Sequence, residues 1–363
     1  MKVMCMYLPQ FHTFPENDEW WGKGYTEWVA VKRAKPLFKG HNEPRVPLDE
    51  RYYDLSDESA KTLKWQADIA RKYGIYGFSI YQYYFNGKTL MAKPLELLRD
   101  HKEINIHYNI CWANETWTRT WYGLSNQILI KQEYGNEDDW NKYFDYLLTF
   151  FEDERYIKVD NKPVLQIYKT FDIPCLKEML KLFDARAKKA GFDGMYIISG
   201  KTAAGVEDRC DLVDGYYYFE PGFTLKNDFN RLDKLSYNVC TFLRSIRNKL
   251  LGKKVGYILE RRINANKIIS DILRREYKEN EFPGLIPDWD NTPRRDYKGL
   301  VYTGTNPELF EKALRVLRDK KQGHKTDFVY INAWNEWGEG AYLEPDTYRG
   351  YGYLEAIDRV CKE

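Results

Sequence analysis

Residues 328–344 read FVYINAWNEWGEGAYLE. The first four, Phe328-Val329-Tyr330-Ile331, form a short continuous apolar run, as in a strand covered on both faces. The residues after Ile331 do not suit a core. Glu336 and Glu339 stand three residues apart, interleaved with Trp334 and Trp337, and Gly338 and Gly340 loosen the backbone. A buried strand ending in a loop of acids, flat rings and flexible backbone is how a parallel sheet presents chemistry at its strand ends. Acids transfer protons and stabilise charge, and tryptophan rings cover the apolar faces of sugars.

Working outward, the same alternation recurs along the chain. Apolar or aromatic runs at 2–8, 74–85, 104–112, 163–168, 195–199, 212–219, 283–289 and 328–334 read as eight strands. Helical patterns lie between and after them at 56–73, 94–100, 137–151, 174–190, about 227–279, 307–320 and 353–362. Eight such units predict an α/β fold, a (β/α)8 TIM barrel with long βα loops. The barrel is expected as a single catalytic domain over 1–363, with a basic helical insert at about 227–279 between strands six and seven. An open doubly wound sheet is the alternative. Against it, no GxGxxG or Walker-type loop follows any strand.

Composition narrows the function. The formal charge is only +2, so no field for nucleic acid is expected. Tyr (30), Phe (18) and Trp (11) make up 16% of the chain, many beside polar residues in turn-like stretches, which suits a carbohydrate cleft. The six cysteines form no CxxC pair and the five histidines show no ligand spacing, so neither a metal nor another cofactor is expected. No GxSxG elbow is present. Asp138-Asp139 could pass for a metal-binding DxD element, but it opens a helix, where acids favour the dipole. The N-terminus, MKVMCMYLPQFH, has too short an apolar run for a signal peptide, and a cytoplasmic location is expected.

A barrel places its chemistry just after the C-terminal ends of its strands. There the sequence offers Tyr83 after strand two, Trp112, Asn114, Glu115, Trp117 and Arg119 after strand three, and Glu220 after strand six. Trp289 and Asp290 follow strand seven; Asn335 and Trp337 flank the acids after strand eight. The long first loop adds Trp20, Trp21, Tyr25 and Glu27. These are the expected substrate-binding residues, around Glu336 and Glu339 as catalytic acids. Two carboxyls in different settings are a minimal kit for glycosidic bonds, one protonating the leaving oxygen while the other stays ionised.

YLPQFH (7–12), NDEWWGKGYTEW (17–28), KPLFKGHNEPRVP (35–47), CWANETWTR (111–119), DNTPRR (290–295) and NAWNEWGEGAYLEPD (332–346) resemble the WbsX-like glycosyltransferase family of bacterial O-antigen and capsule clusters. That family's domain is similar to glycoside hydrolase family 99, the endo-α-mannosidases, which are (β/α)8 barrels. Asn335-Glu336-Trp337-Gly338-Glu339 matches the NEWxE loop of family 99, which commonly has histidine at the place of Gly338. The resemblance implies a retaining, 2-hydroxyl-assisted mechanism. Glu336 would act as base on the sugar 2-hydroxyl and Glu339 as acid and base at the leaving oxygen. The substrate would be an oligosaccharide or polysaccharide, lipid-linked or anionic, of bacterial surface polysaccharide (lipopolysaccharide O-antigen or capsule) metabolism. Hydrolysis and transfer stay open. The rivals are a nucleotide-sugar-dependent glycosyltransferase and a glycan-binding barrel without chemistry.

The insert has a reading of its own. Leu232, Leu235, Val239, Phe242, Leu243, Ile246 and Leu250 recur at helical spacing, an apolar stripe expected to pack on the barrel. Its many Arg and Lys side chains suggest a surface for anionic glycan, lipid-linked pyrophosphate or a membrane face, and so a peripheral membrane association.

Overall fold

The computed structural model describes residues 1–118, 128–203, 211–251 and 261–363. Parallel strands β1 (Lys2–Tyr7), β2 (Ile75–Phe85), β3 (His107–Trp112), β4 (Lys162–Ile167), β5 (Tyr196–Lys201) and β6 (Gly215–Tyr218) pair in sequence order. β7 (Glu281–Phe282) then pairs with β6, β8 (Gly284–Leu285) with β9 (Phe328–Ile331), and β9 with β1. Only Pro283 separates β7 from β8. The two ends of the ladder are therefore consecutive in the chain, and the ring closes through them as a (β/α)8 barrel. Pro283 has no N–H to give the ladder, but its carbonyl accepts from Tyr330 N at 2.9 Å.

The seventh strand thus spans 281–285, not 283–289 as the sequence suggests. Gly284 explains its close fit. A Cβ there would lie 2.0 Å from the Tyr218 carbonyl oxygen on β6.

Side chains cross the barrel interior between strands that are not neighbours. Ser79 Oγ on β2 donates to Gln166 Oε1 on β4 at 2.5 Å, and Gln166 reaches Met6 Sδ on β1. Along β2 the alternation of faces is plain. Tyr84 stacks outward on Tyr143 at 4.0 Å, and Gln82 accepts from the Tyr143 hydroxyl, while Tyr81 and Tyr83 turn toward the barrel mouth.

Helices α1 (Pro15–Trp21) and α2 (Glu27–Arg33) lie in the long first loop. The helices α3 (Lys61–Lys72), α4 (Lys93–Asp100), α5 (Glu137–Phe151) and α6 (Leu176–Lys189) come after β1 to β4. α5 begins with a capping box: Asn136 accepts from Asp138 N, and Asp139 accepts from Asn136 N at 3.0 Å. The acids 138–139 therefore open a helix, as expected, with the Asp139 carboxylate completing its cap.

The insert is less uniform than the sequence suggests. After β6 come α7 (Arg231–Leu251), a short strand Arg261–Asn264 paired in parallel with Leu300–Thr303, and α8 (Ala265–Arg274). The apolar stripe of α7 does not pack on the barrel as expected; it faces outward. The remaining helices are α9 (Thr292–Arg295), α10 (Pro307–Lys321) and α11 (Gly352–Lys362).

Candidate active site

The acid loop hangs from β9. Asn335–Glu336 pairs antiparallel with Ala341–Tyr342, and Trp337–Glu339 makes a tight helical turn closed by Gly340 at φ +63°. The loop is fixed from below. Asn335 Nδ2 donates to the Leu8 carbonyl at 3.0 Å, and its Oδ1 accepts from Leu8 N at 2.8 Å, tying the loop to the end of β1. Trp337 stacks on Tyr342 at 3.7 Å between centroids, and its Nε1 donates to Glu344 Oε2 at 2.6 Å. Glu344 also accepts from Tyr53 and Gln66. Burial pushes the Glu344 carboxyl up to about 7, against the pull of these donors. With amide and indole turned inward, the two remaining polar side chains, Glu336 and Glu339, line the cleft.

One guanidinium organises them. Arg294 sits on α9, whose first turn Asp290 caps by accepting from Thr292 N at 3.0 Å. Arg294 Nη2 lies 2.7 Å from Glu336 Oε1, Nη1 3.1 Å from Glu339 Oε1, and Nε 3.0 Å from Glu27 Oε2. Three carboxylates share one positive charge. Burial raises the Glu336 carboxyl well above its usual range; Glu339 and Glu27 push the same way, and Arg294 opposes them. Glu336 is also the more enclosed acid, with 9% of its side chain exposed against 26% for Glu339.

Gly338 belongs to this arrangement. A Cβ there would lie 2.4 Å from Glu27 Oε2 and 2.8 Å from Arg294 Nε. The space a side chain at 338 would need is filled by the Glu27–Arg294 pair. That is a physical reason for glycine at this position.

Behind this layer lies a second, buried one. His41 Nδ1 accepts from Leu37 N at 3.0 Å, so its Nε2 carries the proton and donates to Asp290 Oδ2 at 2.5 Å. Arg45 donates to Asp288 at 2.9 Å, to the Gly340 carbonyl at 3.2 Å and to Glu43 at 3.3 Å. Burial, then the nearby Asp290 charge, pushes the Glu43 carboxyl up to about 9. Burial also opposes ionisation of Asp290, but His41 and Arg45 outweigh it and hold that carboxyl low. His41, Glu43 and Asp290 bring potential metal ligands within 4.8 Å of one another. Arg45 stands among them as the cation, and the ligand atoms are spent on each other, so this donor set does not fit a metal ion.

The cleft holds about 450 Å³. Glu336, Glu339 and Arg294 form one wall, and Tyr83, Trp289 and Glu115 are expected residues that also line it. Glu115 is held by Lys169 Nζ at 2.5 Å. A smaller adjoining pocket of about 50 Å³ is lined by Trp21, Glu27 and Trp117, and shares Arg294 and Gln10 with the cleft. Trp20 packs edge-on against Trp117, and Tyr25 lies beside Trp21. Arg119 lies outside the described residues.

Trp20 and Tyr25 line neither the cleft nor the adjoining pocket, and six further expected substrate contacts are spent elsewhere in the protein. Asn335 and Trp337 are the underside of the acid loop. Trp112 is buried with its Nε1 on the Tyr84 carbonyl, and Asn114 bridges to the Lys169 backbone. Asp290 caps α9 and binds His41. Glu220 is enclosed with Arg275 at 2.9 Å and Thr224 at 2.8 Å. Each spends its polar atoms on protein partners, and burial leaves no face for a sugar. Conversely, Arg294, Tyr81, Tyr168 and Phe219 line the cleft, although the sequence alone does not single them out. Arg294 lies within the DNTPRR stretch. Tyr168 and Phe219 each come directly after a strand C-terminus, a signal that could have found them; Tyr81 lies within β2.

The fold is a (β/α)8 barrel similar to those of solved glycoside hydrolases. The GH99 endo-alpha-mannosidase from Bacteroides thetaiotaomicron superposes with a TM-score of 0.58 over 99% of this chain and 96% of that one, at 12% identity. A glycoside hydrolase-like protein gives the same score over 99% and 93%, at 13% identity. The chain itself belongs to the WbsX glycosyltransferase family, a carbohydrate-active family whose model, Glycosyltransferase WbsX, matches residues 3–357. WxcX proteins from two strains of Xanthomonas campestris pv. campestris are 31% identical over 98% of the chain. The chain spans about half the length of these curated relatives, 48% in each case.

Proposed function

We propose that this domain cleaves or transfers glycosidic bonds of a bacterial surface polysaccharide by a retaining mechanism that uses the sugar 2-hydroxyl. The observation that carries this reading is the pair Glu336 and Glu339 on one arginine, at the strand-end rim of the barrel and in an aromatic cleft. Glu336 takes the 2-hydroxyl proton as O2 bonds to C1 and the bond from C1 to the leaving oxygen breaks, and it returns that proton to O2 when the incoming hydroxyl attacks C1 and opens the ring so formed. A carboxylate whose proton affinity is raised by burial is a stronger base than a solvated one, and Arg294 steadies its ionised form. Glu339, more open to the cleft, protonates the leaving oxygen and then activates the incoming hydroxyl. Water and a sugar acceptor enter through the same step, so hydrolysis and transfer share this machinery. The reading treats residues 1–363 as one catalytic domain with the insert inside it, and assigns Tyr83, Tyr168 and Trp289 to the sugar.

The test is turnover of oligosaccharides from the producing organism's own polysaccharide, followed by mass spectrometry, with and without added acceptor sugars. Glu339→Gln is expected to lose at least about 1,000-fold in rate while still binding glycan. Unchanged processing in that variant would overturn the mechanism. Stabilisation by nucleoside diphosphates without any glycan turnover would favour a nucleotide-sugar transferase instead.

A further inference from the structure

Helix α7 lies on the protein with its polar side inward. The positions turned to the body are Asp233, Tyr237 and Thr241: Asp233 pairs with Lys267, and Tyr237 binds Arg261 and packs its ring against the core. The opposite face is apolar and open. Leu232 is 78% exposed, Leu235 61%, Phe242 64% and Leu250 79%, with Val239, Leu243 and Ile246 between them. Apart from the adjacent Phe242 and Leu243, these residues recur every three or four positions, so they form one continuous stripe along a helix of 21 residues. Surface helices of soluble domains turn such a stripe to the core. A stripe of this length left open marks an interaction surface.

Charge indicates the occupant. Within α7 stand Arg231, Lys234, Arg244, Arg247 and Lys249 against a single acid, Asp233, which is already paired with Lys267. The sequence continues with Lys253 and Lys254. An apolar stripe on a strongly basic helix matches a surface with hydrocarbon below and anionic phosphate above. A hydrophobic groove on another protein would satisfy the stripe but not the excess of cations. No helix among the described residues is long and apolar enough to cross a membrane, so the contact would be peripheral.

We propose that α7 embeds its Leu232–Leu250 stripe in the interface of a membrane rich in anionic phospholipid. This stands apart from the chemistry at Glu336 and Glu339 and does not depend on it.

The test is flotation of the full chain with vesicles of phosphatidylcholine alone or mixed equally with phosphatidylglycerol, at low and high salt. Binding is expected only with the anionic vesicles and is expected to weaken with salt. Leu235→Asp with Phe242→Asp changes two exposed side chains, so the fold should persist; it is expected to lower the bound fraction at least about tenfold. Arg231→Gln with Lys234→Gln keeps the stripe and should weaken binding by a smaller factor. No flotation of the unaltered chain at low salt would overturn the proposal. So would equal flotation with both vesicle types. A concentration-dependent dimer that Phe242→Asp dissociates and anionic vesicles leave intact would assign the face to a second copy of the chain and overturn it as well.

Discussion

Arg294 sets the electrostatics of the cleft residue by residue. Arg294→Met leaves Glu27, Glu336 and Glu339 with no shared counter-charge. Removing one partner of an enclosed ion pair costs about 3 kcal/mol, so a clear loss in denaturant midpoint is expected, with glycan turnover down at least about 100-fold. Arg294→Lys keeps the charge but not the three-way fork, and should fall between the two. Gly338→Ala brings a methyl group onto the Glu27–Arg294 pair and is expected to cost about 1–3 kcal/mol, read by thermal unfolding. Glu344 makes a prediction in pH. Its carboxyl is raised from 4.5 to about 7 on folding, so the native state binds a proton more tightly than the unfolded chain. Stability should fall as pH rises from about 4.5 to about 7, by on the order of 3 kcal/mol, and stay lower above that. Urea unfolding across this window should show a shallower slope in Glu344→Gln, with Glu43 sustaining part of it toward pH 9. Glu336 and Glu339 can be singled out in the sequence because paired acids at a strand end have few packing roles. Trp337 and Asn335 look equally functional there, since a one-dimensional string does not say which side of a loop turns inward. Arg294 is hidden for a related reason: its role comes from reaching two loops far away in sequence.

Elements show the same mixture. α5 is readable to the residue because its signals are local: Asn136 and Asp139 at the cap, then apolar positions at helical spacing. Asn136→Ala should destabilise by about 1 kcal/mol, measurable by equilibrium unfolding, without altering turnover. The sequence misplaces the seventh strand because 283–289 has the better apolar run. Its later part is claimed by the rim, where Asp288 binds Arg45 and Trp289 lines the cleft. In α7 the periodicity is right and the direction wrong. Spacing defines a stripe, but only the surroundings decide whether it faces core or solvent.

For the whole molecule, the eightfold alternation of strand and helix is enough to give the barrel. Closure is not legible, because pairing between β9 and β1 joins the two ends of the chain, and that between β6, β7, β8 and β9 depends on glycine at 284. Gly284→Val forces a side chain into the Tyr218 carbonyl and should abolish cooperative folding, seen as loss of a sharp melting transition. The ring is unevenly fastened. Everywhere else its neighbours share longer ladders, but at 281–285 it is held by two-residue ladders on either side of Pro283. That segment is a clasp. Phe219, Trp289 and Glu336, all at the cleft, come after β6, β8 and β9 around it. A glycan touching all three would act as a brace across the weakest rung. Amide hydrogen exchange at Phe282 and Leu285 is accordingly expected to be faster than in β1–β4, and to slow when oligosaccharide fills the cleft.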